Sequence, residues 1–217
     1  MKIKGVVFDM DGVLVDNMNI HIEAFGIFCS RYGGVENWHE IIMNSVGMGN
    51  DEIMVKMMPS EVIAEHGIAK LAEIKEAIYR EVYASRIKPI DGLRELLEEF
   101  KRRGIKCAVG SSGCRANVEF VLKSCGIEEY FSTLIYSDLV TRCKPDPEIY
   151  SMAIEKMGIA ASEALVFEDA TNGIASARAA GAGKIIALST TLDRKILEEE
   201  SGVDMIITDF REVLGKL

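Results

Sequence analysis

Six short apolar runs, each ending abruptly in polar or glycine residues, constrain this chain more than any other feature. They are Ile3 to Phe8, Ile105 to Val109, Leu134 to Tyr136, Ala164 to Phe167, Lys184 to Leu188 and Met205 to Ile207. Each is near-continuously hydrophobic with little alternation, as a strand buried on both faces of a parallel sheet must be. Helical stretches lie between them. Asp91 is placed to cap a helix over Gly92 to Arg103 that Gly104 stops, and Gly126 stops another over Arg115 to Cys125. Pro147 suits the first turn of a helix reaching Met157, with Gly158 after it. Thr171 is placed to cap a small-residue helix over Ile174 to Ala180, ended by Gly181. Strand and helix alternate, which predicts a doubly wound, Rossmann-like parallel α/β sheet.

The alternation breaks once. From Asn17 to Arg86 the periodicity is helical, with no convincing strand; Leu71 to Tyr83 is the clearest helix. The expected organisation is therefore an α/β core over residues 1–15 and 87–217, with an all-helical cap inserted at 16–86. Hinges are expected near Val15-Asp16 and between Ser85 and Lys88. Met43, Met48, Met54, Met57 and Met58 are assigned to packing within the insert, Trp38 and His39 to structural positions, and Glu198 to Glu200 to a solvated helix end.

Composition narrows the function. At 217 residues, 48% hydrophobic and 27% charged, the chain builds a core without disulfides or a structural metal. No apolar run approaches the roughly 20 residues of a spanning helix, and no signal-peptide pattern precedes the first strand. Five cysteines, odd in number and without a CxxC pair, fit reduced thiols in a cytoplasm. A formal charge of −9 disfavours nucleic acid and anionic membranes as partners. A monomer is expected.

Ligands of open parallel sheets bind at the carboxyl ends of the strands. Those ends present Asp9 and Asp11, then Ser111, Ser112 and Gly113, then Lys144, then Glu168 and Asp169. Two unit charges about 4 Å apart repel by about 4 kcal/mol at an effective dielectric near 20, so carboxylates crowded on one rim call for a cation. Oxygen ligands beside a phosphate site favour Mg2+. An ionised aspartate attacks phosphorus without an activating base. That makes Asp9 the candidate nucleophile and Asp11 the proton carrier to the leaving oxygen. Ser111 would hydrogen-bond a phosphate oxygen, and Lys144 would offset the charge that phosphate brings.

These segments resemble the four motifs of the haloacid dehalogenase superfamily: DMDGVLVD at Asp9 to Asp16, VGSSG around Ser111, KPDP at Lys144 to Pro147, and EDATNGIASARAAG at Glu168 to Gly181. The similarity is to the branch with a helical cap after the first strand, which includes β-phosphoglucomutase and many sugar phosphatases. The resemblance implies that Asp9 becomes an aspartyl phosphate and that Asp11 is the general acid/base. It implies that Ser111 and Lys144 bind phosphate, with the amides of Asp11, Ser112 and Gly113 helping. It also implies Mg2+ on Asp9, the Asp11 carbonyl, Glu168 and Asp169. Members that displace halide lack the second aspartate, so the presence of Asp11 favours phosphoryl chemistry.

In this branch the cap selects the substrate. His21 stands where β-phosphoglucomutase carries a cap histidine, and Lys75 with Tyr79 where it carries a cap lysine and tyrosine. The mutase's phosphate-gripping arginine has no match: the stretch reads Gly47-Met48-Gly49-Asn50-Asp51, with no Lys or Arg between Arg31 and Lys56. Asn50 is a weak substitute for a bidentate guanidinium. A mutase lysine after the motif-two serine falls at Cys114, with Arg115 adjacent. The expected activity is therefore a Mg2+-dependent phosphatase acting on small phosphate monoesters such as sugar phosphates; a phosphosugar mutase is the alternative. A non-catalytic phosphate-binding module would have lost Asp9 or Asp11, and both are present.

Overall fold

The computed structural model describes residues 2–43, 45 and 50–217, and of Asn50 the backbone alone. The chain divides into two compact units, Met1–Asp16 with Lys88–Leu217, and Asn17–Ile87.

The first unit is built on six strands: β1 (Gly5–Phe8), β2 (Lys106–Gly110), β3 (Phe131–Ile135), β4 (Ala164–Glu168), β5 (Lys184–Leu188) and β6 (Met205–Ile207). All pair in parallel in the order β3-β2-β1-β4-β5-β6. The strand order reverses at β1, where the two halves meet, so the ligand crevice expected of such a sheet opens at the ends of β1 and β4. Register completes the placement. Phe8 lies opposite both Val109 and Phe167, so Asp9, Gly110 and Glu168 follow at one level.

The two faces of β1 are packed differently. Phe8 stacks on Phe167 at 5.0 Å between centroids and meets Phe100, Phe131 and Phe210 at its other edges. Val7, on the opposite face, joins Ala108, Val166, Ile149, Tyr150 and Ala153 in the other half of the core. Both faces are dry, which is why these strands read as unbroken apolar runs in the sequence.

Five helices belong to this unit: α6 (Leu93–Arg103), α7 (Arg115–Cys125), α8 (Glu148–Met157), α9 (Thr171–Ala179) and α10 (Arg194–Glu199). Helix α6 buries Leu93, Leu96, Leu97 and Phe100 at helical spacing and ends at Gly104 in the left-handed region (φ +69°). Two capping expectations are corrected. Asp91 does not cap α6: Gly92 occupies that position with φ +80°, and the Asp91 side chain pairs with Arg211 at 3.3 Å. Thr171 is the first residue of α9 rather than its cap. The helix starts early because the Glu168 carboxylate accepts from the Asp169 and Ala170 amides just ahead of it, a favourable place for negative charge.

The second unit holds α1 (Met18–Tyr32), α2 (Trp38–Met43), α3 (Asn50–Met57), α4 (Ser60–His66) and α5 (Ile68–Tyr83). Met54, Met57 and Met58 are buried, but Met43 is 50% exposed and is not a packing residue; Met48 lies outside the described residues. Trp38 rests over Gly26, where a side chain would press tightly against its ring. Among the described residues no helix is long and apolar enough to cross a membrane.

Candidate active site

Helix α8 packs on the Val7 face of the sheet, and the loop before it returns Lys144 to the end of β1. That loop is tied at several points. Glu148 accepts from the Thr141 amide and hydroxyl and from the Arg142 amide. The buried Ser176 hydroxyl of α9 donates to the Asp146 carbonyl at 2.6 Å. Lys144 is thereby buried, and its ammonium donates to Asp9 Oδ1 (2.7 Å), Glu168 Oε1 (2.7 Å) and the Tyr150 hydroxyl (2.8 Å). Tyr150 in turn donates to Glu168 Oε1 at 2.6 Å. Glu168 Oε2 accepts from the amides of Asp169 (2.8 Å) and Ala170 (3.0 Å). Each Glu168 oxygen thus has two donors, which leaves this carboxylate less free to take a further ligand than Asp9 or Asp169.

Asp9, Glu168 and Asp169 bring carboxylate oxygens within 4.8 Å of one another, all three buried. Two glycines make this crowding possible. A side chain at Gly173 in α9 would overlap the Glu168 carboxylate, and one at Gly12, whose φ is +75°, would overlap that of Asp169. Asp169 is also hydrogen-bonded by Thr191, while the Thr190 hydroxyl donates to the Gly12 carbonyl.

Burial pushes the Asp9 carboxyl up to about 7; Lys144 opposes this while Glu168 and Asp11 add to it. Burial likewise holds Asp169 well above the usual carboxylate range, reinforced by Glu168 and Asp9. Burial acts upward on Glu168 too, but Lys144, Tyr150 and the Ala170 amide outweigh it and keep this carboxyl below its usual range. Lys144 is raised: burial acts to lower it, and Asp9 and Glu168 overcome that. One ammonium against three buried carboxylates leaves an excess of negative charge when all ionise. A divalent cation with oxygen ligands fits that excess, and the donor set suits Mg2+.

A stability experiment follows from the shifts. A carboxyl raised in the folded state stabilises the fold fully below its unfolded pKa, and that contribution is lost as pH rises through the folded value. For Asp9 the window runs from about 4 to about 7. The melting temperature of the metal-free protein should therefore fall by about 5 °C between pH 5.5 and 8. Added Mg2+ should raise it more at pH 8 than at pH 5.5, because the cation binds deprotonated carboxylates. Calorimetric scans at the two pH values check this, and a Mg2+ shift equal at both would refute it.

The phosphate-side loop follows β2. Ser111 is buried, and its hydroxyl accepts from the Gly113 amide at 2.9 Å. The Gly113 amide, expected to face phosphate, is therefore engaged within the loop. The Gly113 carbonyl accepts from the Ser137 amide and hydroxyl, which pins the turn. The Ser112 hydroxyl oxygen is buried and has no hydrogen-bond partner among the described residues. Strand β1 ends at Phe8, so Asp11 sits in the following turn. Its Oδ2 lies 3.8 Å from where a side chain on Gly113 would begin, and it stands outside the three-carboxylate cluster.

Other expected residues lie elsewhere. Arg115 is exposed, and its guanidinium pairs with Glu119 one turn along α7 at 2.7 Å rather than joining the Ser111 loop. Asn50 opens α3, with its side chain outside the described residues. In the helical unit, the His21 ring stacks on Tyr79 (4.1 Å, 5° between planes). Asn17 Nδ2 donates to the Tyr79 hydroxyl at 2.6 Å and lies 3.5 Å from His21 Nε2. Lys75 is buried, paired with Glu76 and 4.3 Å above the Phe25 ring. Tyr150, Thr190, Thr191 and Gly173 are not among the residues the sequence pattern points to. The two threonines follow the apolar run Lys184 to Leu188, so reading that strand end for polar groups would have found them. Tyr150 carries no such signal.

Residues 6–187 match the haloacid dehalogenase-like hydrolase family, and the chain belongs to it. It is 30% identical over 206 residues to a phosphorylated carbohydrates phosphatase of Thermotoga maritima, covering 94% of each chain. It is 31% identical over 210 residues to a validoxylamine A 7'-phosphate phosphatase of Streptomyces hygroscopicus subsp. limoneus, covering 97% of this chain and 95% of that one. The crystal structure of CbbY from Rhodobacter sphaeroides in complex with phosphate superposes with a TM-score of 0.85 at 26% identity, over 97% and 96% of the two chains.

Proposed function

We propose that this enzyme is a phosphatase that hydrolyses small phosphate monoesters, sugar phosphates foremost, through a covalent phosphoryl-Asp9 intermediate. The observation that carries the reading is the buried Asp9 carboxylate, fixed through Oδ1 by Lys144 beside Glu168 and Asp169. With Oδ1 engaged, Oδ2 is the oxygen left to attack phosphorus. As the Asp9–phosphorus bond forms, the ester P–O bond breaks and the leaving oxygen takes a proton from Asp11. Asp11, now ionised, takes a proton from water, whose oxygen attacks phosphorus. The Asp9–phosphorus bond breaks and inorganic phosphate departs. Lys144 offsets the charge of the transferring group, and the Ser111 loop orients it. Mg2+, held by Asp9, Asp169 and the Asp11 carbonyl beside the Glu168 charge, would neutralise phosphoryl oxygens as a Lewis acid. We assign choice of ester to the helical unit, with His21 and Lys75 as its candidate specificity residues. The phosphatase names of the two relatives and the absence of Lys or Arg between Arg31 and Lys56 support water over a second sugar as the acceptor.

The test is phosphate release with Mg2+ across a panel of sugar phosphates that includes β-glucose 1-phosphate and 6-phosphogluconate. Glucose 6-phosphate is assayed alongside. Phosphate release outpacing isomerisation is the expected result; glucose 6-phosphate formed without phosphate would make the enzyme a mutase. Excess EDTA should reduce turnover to background, and Mg2+ should restore it. Full activity in EDTA would overturn the metal assignment.

A further inference from the structure

Among the described residues, Tyr150 is the uncharged side chain at the site that touches both Lys144 and Glu168. It is fully buried on α8, with its ring in the apolar core and its hydroxyl at the foot of the carboxylate cluster. The hydrogen bonds around it close a ring. Lys144 donates to Tyr150, Tyr150 donates to Glu168 Oε1, and Lys144 donates to the same oxygen. The ammonium has three N–H groups, and here they go to one neutral and two anionic acceptors.

We propose that Tyr150 is a positioning residue that keeps the third N–H of the Lys144 ammonium off the metal-binding carboxylates. Lys144 is itself a cation, 2.7 Å from Asp9, which would hold Mg2+, and from Glu168 beside it. It must stay close enough to Asp9 to align the nucleophile, yet not so deep that it competes with the metal. The phenol manages this by taking the third N–H, while its own proton satisfies Glu168 Oε1. Without the hydroxyl, that N–H is left with the face of the ring, 4.7 Å from the ammonium, and the stronger acceptors within reach are carboxylate oxygens of the cluster. The ammonium then moves inward, Mg2+ binds more weakly, and Asp9 is held more tightly by its counter-ion. This rests on the proposed phosphatase chemistry for its effect on rate, but not for its effect on metal binding.

The experiment is Tyr150→Phe, which removes one oxygen and leaves the ring packing in place. Isothermal calorimetry with MgCl2 on the metal-free protein should show the Mg2+ Kd raised about five- to tenfold. The kcat for the best ester of the panel should fall about ten- to a hundredfold, with KM changed much less. A tyrosine that merely fills the core would lower the melting temperature and move neither reading. Should the Phe variant not fold, Tyr150→Met serves, since methionine adapts to an irregular space. An Mg2+ affinity within twofold of wild type overturns the proposal. So does an unchanged kcat in an enzyme that releases phosphate. If the wild-type protein releases no phosphate from any ester, the phosphatase reading fails, and the calorimetric arm alone decides the role of Tyr150.

Discussion

Asp9→Asn is expected to lower phosphate release by about four orders of magnitude or more, with the fold intact. The two side chains have the same shape, and Asn Oδ1 can still accept from Lys144. The attacking anionic oxygen is replaced by an amide nitrogen that cannot displace an alkoxide from phosphorus. The variant separates chemistry from stability because it also removes one of three crowded buried acids. Burial raises the Asp9 carboxyl to about 7, so in the metal-free protein at pH 8 its ionised form is held against its environment. A neutral amide there relieves that repulsion, and the metal-free variant should melt at or above the wild-type temperature at pH 8. Single-turnover assays with thermal scans of the same samples check both halves. Phosphate release at the wild-type rate would mean that Asp9 is not the nucleophile. Lost activity together with a collapsed melting temperature would mean that Asp9 is a structural partner of Lys144.

Gly173→Ala is expected to cost about as much activity as removing a charged residue, although glycine carries no chemistry. In an ordinary helix the change would stabilise by up to about 1 kcal/mol. Here the methyl group would sit within 3.0 Å of the Glu168 carboxyl carbon and both its oxygens, closer than real side chains approach. Glu168 would be driven off the Asp169 and Ala170 amides and away from Lys144 and Tyr150. Breaking one side of a buried ion pair costs about 3–5 kcal/mol. The expected outcome is a melting temperature lower by about 10 °C and a loss of turnover of about a hundredfold or more. A double-mutant cycle isolates the cause. In a Glu168→Ala background the clash is gone, so Gly173→Ala should be neutral or slightly stabilising. An equal penalty in both backgrounds would refute the close-approach explanation.

Much of the core site was legible in the sequence because parallel strands simplify the reading. Each runs apolar to its carboxyl end, so the first polar residues after Phe8, Gly110 and Phe167 stand at one rim. Register then places Asp9 beside Glu168, as alternation of strand and helix alone suggested. Legibility failed where a role depends on what another element brings close. Tyr150 reads as one more buried position of α8, between Ile149 and Ala153. Arg115 reads as a cation next to the phosphate loop, but its own helix offers Glu119 one turn away. Asp91 reads as a cap, but Gly92 turns the chain and Arg211 takes the carboxylate.

The amino-acid order by itself determined the strands, the helices that follow them, and the acids, serines and lysine at the strand ends, because these depend on local pattern and on the direction of parallel strands. Tertiary structure alone decided how those groups act on one another. Burial moved Asp9 to about 7 where an isolated aspartate would be ionised, since the cost of a buried charge depends on everything packed around it. It also made glycine necessary at 12 and 173 and placed a phenol between Lys144 and Glu168, because these follow from distances between segments far apart in the chain.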